Sequence, residues 1–224
     1  MSSTESLTDI DYPESDGQPM GETEIHIEWM IRLRDMLKLR YREQRVYVGS
    51  NLLVYPEEGV PRNFVVPDVF VVKDCEPGRR RIFQTWIENR VPNVVFEITS
   101  RSTRRQDSIF KLRQYAEMGV AEYFLFDPTS DYLSPALQGY RLVDDEYEAI
   151  ESNSNGRLAC RELDLELELT GDRLRLFDSI DGHELLTEAE SEATRAETEA
   201  RARAKAEAEV ERLRKLLDER DDSA

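Results

Sequence analysis

The sequence predicts an α/β protein of the α+β kind, a mixed β-sheet flanked by helices, with a charged helix at its C-terminal end. Three observations carry this. Between residues 22 and 182, apolar runs of strand length are interleaved with segments of helical periodicity. Toward the end of that span, Leu163 to Leu169 alternates leucine with acids, the period of a half-buried antiparallel strand. From Glu184 to Arg220 the composition changes to almost pure Ala, Glu, Arg, Lys and Leu. The predicted organisation is a disordered lead-in over 1–21, one domain over 22–182, and a charged helical tail over 183–224.

Residues Met1 to Gly21 are Ser, Thr, Asp, Glu, Pro and Gly with little to bury, which predicts disorder. Over Glu22 to Tyr41, Ile25, Trp29, Leu33, Met36 and Leu37 form one helical stripe. Glu24 and Glu28 flank the stripe, and His26 is expected on the other side. Arg45 to Tyr55 reads as strand, closed by the turn Pro56 to Pro61. Val65 to Val72 is a second apolar run with Asp68 inside it, and a short helix is expected around Trp86. Val94, Val95 and Phe96, followed by Glu97, form a short β-branched run between Pro92-Asn93 and the polar segment Ser100 to Asp107. That is the pattern of a buried central strand. Ser100 and Thr103 suit the capping of a following helix, and Asp107 suits its first turn. Ile109, Leu112, Ala116 and Met118 mark that helix, and Gly119 stops it.

Glu122 to Phe126 is another buried strand, ended by the turn at Asp127-Pro128. Leu137 to Ile150 predicts a hairpin turning at Asp144-Asp145. Arg157 to Phe177 adds strands that turn at Thr170-Gly171-Asp172. In the tail, Glu197 with Arg201, Glu199 with Arg203 and Glu211 with Lys215 stand in the favoured i,i+4 order, each contributing about 0.2–0.5 kcal/mol. A heptad seam is confined to Ala206, Val210, Leu213 and Leu217, which leaves two readings, a solvated single helix or a short self-associating coil.

Composition sets limits on function. The formal net charge of −17 over 224 residues is far from the basic footprint of most nucleic-acid binders. Arginines at 79, 80, 81, 90, 101, 104, 105 and 113 nevertheless make one local stretch basic. The two cysteines, Cys75 and Cys160, lie far apart without metal-ligand spacing, as for reduced thiols in a cytoplasmic protein. No apolar run reaches membrane-spanning length and no leader segment is evident, so no membrane partner is expected.

The chemistry concentrates in Asp68, Glu97 and Lys111. A lone carboxylate in a buried strand is costly unless it is paired or metal-bound, so Glu97 needs a partner. If the Asp68 and Glu97 strands are neighbours, their carboxylates supply oxygen ligands for a hard cation such as magnesium, with the backbone carbonyl of Ile98 as a third. Lys111, on the next helix, is the amine that positions a water or neutralises a phosphate, and Tyr115 shares its face. This is the equipment of metal-dependent phosphodiester hydrolysis. His26 and His183 stand too isolated for a nucleophilic or zinc site.

Taken in order, Val66-Pro67-Asp68, the run FEITSRST from Phe96 to Thr103, the helix with Lys111, Tyr115 and Gly119-Val120, and EYFLFDP from Glu122 to Pro128 resemble the restriction endonuclease family known as Uma-two, within the PD-(D/E)XK nuclease superfamily. The resemblance runs from about Glu24 to Tyr140. It implies a restriction-endonuclease-like core, a magnesium or manganese ion at Asp68 and Glu97, and cleavage of DNA. The superfamily's usual lysine falls at Thr99 here, and the resemblance suggests that Lys111 has taken over its role, where related nucleases carry the Gln of a Gln-x-x-x-Tyr motif. In related nucleases an acid of the first helix joins the metal site, and the resemblance makes Glu24 or Glu28 the candidate for that place here. Cutting both strands needs two sites, hence an expected homodimer, with Arg101, Arg104 and Arg105 touching the phosphate backbone. Two other readings remain. One is a catalytically inactive protein of this fold acting through its charged tail, and the other is a nuclease for RNA or single strands.

Overall fold

The computed structural model describes residues 10–15, 17, 23–99 and 110–221, with side chains to position 213. Ser100, Arg101, Thr103, Arg104, Arg105 and Asp107 lie outside the described residues. The chain divides into two units, Met1–Leu185 and Leu186–Ala224.

The first unit opens with α1 (Glu24–Arg40), capped by the Thr23 hydroxyl, which accepts from the His26 N–H. Then come β1 (Val46–Ser50), β2 (Val54–Tyr55), β3 (Val69–Lys73), β4 (Phe83–Gln84), α2 (Thr85–Glu88), β5 (Val94–Ile98), α3 (Leu112–Met118), β6 (Glu122–Phe126), β7 (Leu137–Val143), β8 (Glu146–Ala149), β9 (Leu158–Cys160), β10 (Leu165–Thr170) and β11 (Arg173–Asp178). Six strands form a mixed sheet in the order β1-β3-β5-β6-β7-β8. Within this sheet, among the described residues, only β5 and β6 run parallel, joined by the crossover that carries α3.

Strand alternation sorts the two faces of this sheet. Val69, Val71, Val94, Phe96, Ile98, Phe124 and Phe126 pack with Leu33, Met36 and Leu37 of α1. Phe70, Val72, Val95, Tyr123 and Leu125 pack with Tyr115 of α3 and with Val54 and Phe83 of the short β2–β4 pair. Asp68 and Glu97 have the parity of this second face. Glycines accommodate two close approaches on neighbouring strands: a Cβ on Gly49 would sit 2.3 Å from the Phe70 ring, and one on Gly139 2.7 Å from the Phe124 ring. The β7–β8 hairpin turns through Asp144 and Asp145, both at positive φ, as a tight two-residue turn requires.

The last strands depart from the expectation of a single sheet. β9, β10 and β11 form their own antiparallel sheet, order β11-β10-β9. Their leucines, among them Leu158, Leu165, Leu167, Leu174 and Leu176, join the α1 core, while the interleaved acids pair with Arg157 and Arg175. A sheet with one apolar face is completed by packing that face, and needs no edge of the larger sheet.

Tyr12, inside the segment expected to be disordered, packs edge-on against Tyr55 with ring centroids 5.1 Å apart and lies 5.2 Å from Trp86. Cys75 and Cys160 are free and buried.

The second unit is built on α4 (Glu188–Asp221). Thr187 and Glu190 cap it reciprocally: the Glu190 N–H donates to the Thr187 hydroxyl, and the Glu190 carboxylate accepts from the Thr187 N–H at 3.0 Å. From Glu192 to Leu213 every side chain is exposed. Ion pairs among its described residues include Glu197–Arg201, as expected, Arg212–Glu209, and Arg203–Glu207, in which Arg203 turns to the acid on its C-terminal side instead of Glu199. No helix among the described residues is long and apolar enough to cross a membrane.

Candidate metal centre

The site forms where β3 and β5 part. In the antiparallel β3–β5 register Val69 faces Phe96, so the next partners would be Asp68 with Glu97 and Pro67 with Ile98. Pro67 has no N–H to continue the ladder. The Asp68 side chain closes the gap instead, Oδ2 accepting the Ile98 N–H at 2.7 Å. The Pro-Asp pair therefore ends the pairing of the two strands and turns a carboxylate into the opening.

Asp68 Oδ1 lies 3.0 Å from Nε2 of His26. Burial alone would raise the Asp68 pKa. The hydrogen bond to His26, the charges of Lys111 and His26 and the Ile98 N–H outweigh it, and the carboxyl is held below its ordinary value.

Glu97, 1% exposed, is the second carboxylate. Its Oε2 lies 2.9 Å from the Lys111 ammonium and its Oε1 accepts the Tyr115 hydroxyl at 2.6 Å. Lys111 Nζ also reaches the Val66 carbonyl at 3.5 Å. Tyr115 is fully buried, and burial first, then the Glu97 charge, push its pKa far up, so the phenol remains a donor. Phe110 and Lys111, in π-helical conformation, lead into α3, and the lysine stands one helical turn before Tyr115. One ammonium thus sits against Glu97 and acts on Asp68 as well.

Asp68, Glu97, Lys111 and Tyr115 come together, as does the backbone of Ile98. Glu24 and Glu28 do not; both are exposed. His26, expected on the far side of α1, is 3% exposed and is the first-helix residue that reaches the site. Leu33, Met36 and Leu37 of the expected stripe are buried and Trp29 packs against the same core, but at the N-terminal end of α1 the buried residue is His26, while Ile25 is only half-buried. The spacing 26, 33, 37 was a signal available in the sequence, but a polar first member hides it from an apolar-periodicity argument.

A buried strand acid is not by itself a site, and Glu122 makes the comparison. Also 1% exposed, it receives Arg141 through Nε at 2.9 Å and Nη2 at 2.7 Å, along with the N–H groups of Arg161 and Glu162. Those bonds tie β6 to the segment after β9, a structural role. Among the described residues, Asp178, Asp181 and His183 also bring potential metal-ligand atoms within 4.8 Å of one another. Asp178 is already bound by Arg40 at 2.6 Å and by the Ile180 N–H, and Asp181 by His183, so these contacts account for the cluster.

The donor set at Asp68 and Glu97 suits a hard cation. All four carboxylate oxygens are present, each has accepting capacity beyond the bond described, and the Ile98 N–H bond to Asp68 turns that residue's peptide groups toward β3. Of the basic stretch, Arg80 pairs with Glu88 and lies over Tyr47 at 4.0 Å, Arg81 pairs with Glu14, and Arg113 pairs with Glu117. Arg79 lines a groove of about 260 Å³ with Lys38 and Arg42, at the C-terminal end of α1 and away from the carboxylates.

Comparison with known proteins adds two findings. The model of the family described as "Uma2: Putative restriction endonuclease" matches residues 8–175. A solved structure from Anabaena variabilis, described as a putative nuclease belonging to DUF820, is similar at 14% identity over 70% of this chain and 88% of that one, with a TM-score of 0.48. No curated protein matches.

Proposed function

The chain belongs to the Uma2 putative restriction endonuclease family, and from that premise we propose that it is a divalent-metal-dependent endonuclease hydrolysing phosphodiester bonds in DNA. Asp68 and Glu97 hold magnesium or manganese, with the Ile98 carbonyl as a third ligand. The observation that carries this reading is the Lys111 ammonium 2.9 Å from Glu97 Oε2 with its field reaching Asp68, two carboxylates gathered around one positive charge. A bound cation supplies Lewis acidity to the scissile phosphate and lowers the pKa of an attacking water.

The chain's own residues do the rest. His26 and the Ile98 N–H fix the Asp68 carboxylate, and the Tyr115 hydroxyl fixes Glu97, so both are oriented before any ligand arrives. Lys111, flexible and charged, neutralises a phosphate oxygen or orients the water, from a helix instead of from position 99. Cleavage of both strands calls for a homodimer, and the chain's setting is cytoplasmic.

The test is plasmid cleavage with magnesium or manganese by the wild type beside Glu97→Ala. Cutting that needs the metal and is lost in the variant is expected; equal cutting by both overturns the assignment. A second reading, an inactive protein of this fold acting through partners, draws on α4, whose side chains from Glu192 to Leu213 are all exposed. Absence of magnesium binding in calorimetry, together with a partner lost on deleting α4, favours that reading.

A further inference from the structure

Thr99 occupies the position after Glu97 and Ile98, and its hydroxyl is used by nothing described in the fold. The residue is 2% exposed, and Oγ1 has no hydrogen-bond partner among the described residues. Its backbone is firmly placed, because the Thr99 N–H donates to the Phe126 carbonyl at 2.7 Å and so continues the β5–β6 ladder one residue past the strand. Strand alternation therefore holds through this position. It puts the Thr99 side chain on the face of Glu97, at the end of β5 where the Asp68 and Glu97 carboxylates gather.

A buried hydroxyl without a partner is an expensive feature to keep in a well-packed interior, where valine would fill the same volume. The two carboxylates of the site are engaged, Asp68 with His26 and Ile98, Glu97 with Lys111 and Tyr115. Residues two apart on a strand are separated by about 6.6 Å. That is long for direct hydroxyl contact with the ligands of an ion at Glu97 and suits contact with a water on that ion. Magnesium and manganese sites built on one or two carboxylates keep several waters, each a donor in need of an acceptor.

We infer that Thr99 Oγ1 is a positioning group of the metal centre, taking a hydrogen bond from a water on the divalent cation held by Asp68 and Glu97. The inference rests on the metal reading of those two acids and goes beyond it. It assigns position 99, where the superfamily's lysine would stand, to the water shell and leaves the charge to Lys111.

Manganese binding to the full chain, followed by calorimetry, tests it in Thr99→Val and Thr99→Ser. Valine keeps the shape and removes the hydroxyl; serine keeps the hydroxyl. Thr99→Val should bind manganese about tenfold more weakly, the usual size of an outer-sphere loss, while Thr99→Ser stays within about twofold of the wild type, on the same scale. With chelator present, Thr99→Val should melt no lower than the wild type, because it loses an unpartnered group and nothing else. Wild-type binding with an unchanged affinity in Thr99→Val overturns the role of Thr99 and leaves the metal site standing. No manganese binding by the wild type overturns both.

Discussion

The Tyr115 hydroxyl donates to Glu97 Oε1 at 2.6 Å from a fully buried position on α3, so strand and helix are joined through the carboxylate that the metal reading depends on. A hydrogen bond to a charged acceptor contributes about 1.5–3 kcal/mol. Tyr115→Phe keeps the ring and its packing on Tyr123, so urea unfolding should show a loss of about 2 kcal/mol with an unchanged slope. A loss below about 0.5 kcal/mol, under the charged-bond range, would mean that Glu97 is held without Tyr115.

Lys111 is the counter-charge that makes a buried Glu97 tolerable. Lys111→Met retains the stem and removes the ammonium, and stranding a buried charge costs about 3–5 kcal/mol. A divalent cation replaces the missing positive charge, and binding at a hundred times the dissociation constant restores about 2.7 kcal/mol. Manganese should therefore raise the melting temperature of Lys111→Met more than that of the wild type, whose ammonium repels the ion. A smaller rise in the variant would speak against a cation between these carboxylates.

His26 orients Asp68 from the N-terminal turn of α1. His26→Leu removes the partner of Oδ1 and should destabilise the chain by about 1–3 kcal/mol. In His26→Gln, which offers an amide at similar reach, at least half of that should return. If leucine and glutamine variants unfold alike in denaturant titrations, the contact is incidental to stability.

The parts of the sequence that carried a period or a turn signal led to the right elements: the Val94 strand, the Gly119 stop, the Asp144-Asp145 hairpin. Asp68, Glu97 and Lys111 stood out because charges in or beside apolar runs demand a partner, and the structure makes them neighbours. Three things were not legible. The separate sheet of β9–β11 was hidden, since a half-buried strand looks the same whether it extends a sheet or stacks on one. His26 was hidden because its burial depends on which way α1 is rotated, and Trp29 widened the apolar stripe enough to leave that choice open. Glu122 passed unnoticed although it is as buried as Glu97, because only tertiary packing brings Arg141 to it.

Asp127 carries a prediction independent of the metal. Its carboxylate accepts the N–H groups of Tyr132 and Leu133 at 2.6 and 2.9 Å, and the N–H and hydroxyl of Thr129 at 3.0 and 2.9 Å, closing the loop after β6. Burial pushes its pKa upward, and these four donors outweigh burial and hold it below 3.8. The folded value is thus lower than the unfolded one, the unfolded chain binds more protons in between, and stability rises with pH there. The contribution is complete above the unfolded value of about 3.9 and disappears as pH falls through the lower folded value. Asp127→Asn retains one acceptor oxygen and loses the other, a cost of about 2 kcal/mol. Measured with chelator present, the stability gap between wild type and Asp127→Asn should be flat from pH 5 to 8 and narrow once the pH drops below about 4. A gap that keeps its full size down to about pH 2 would show that the loop is held by the shape of the side chain and not by its charge.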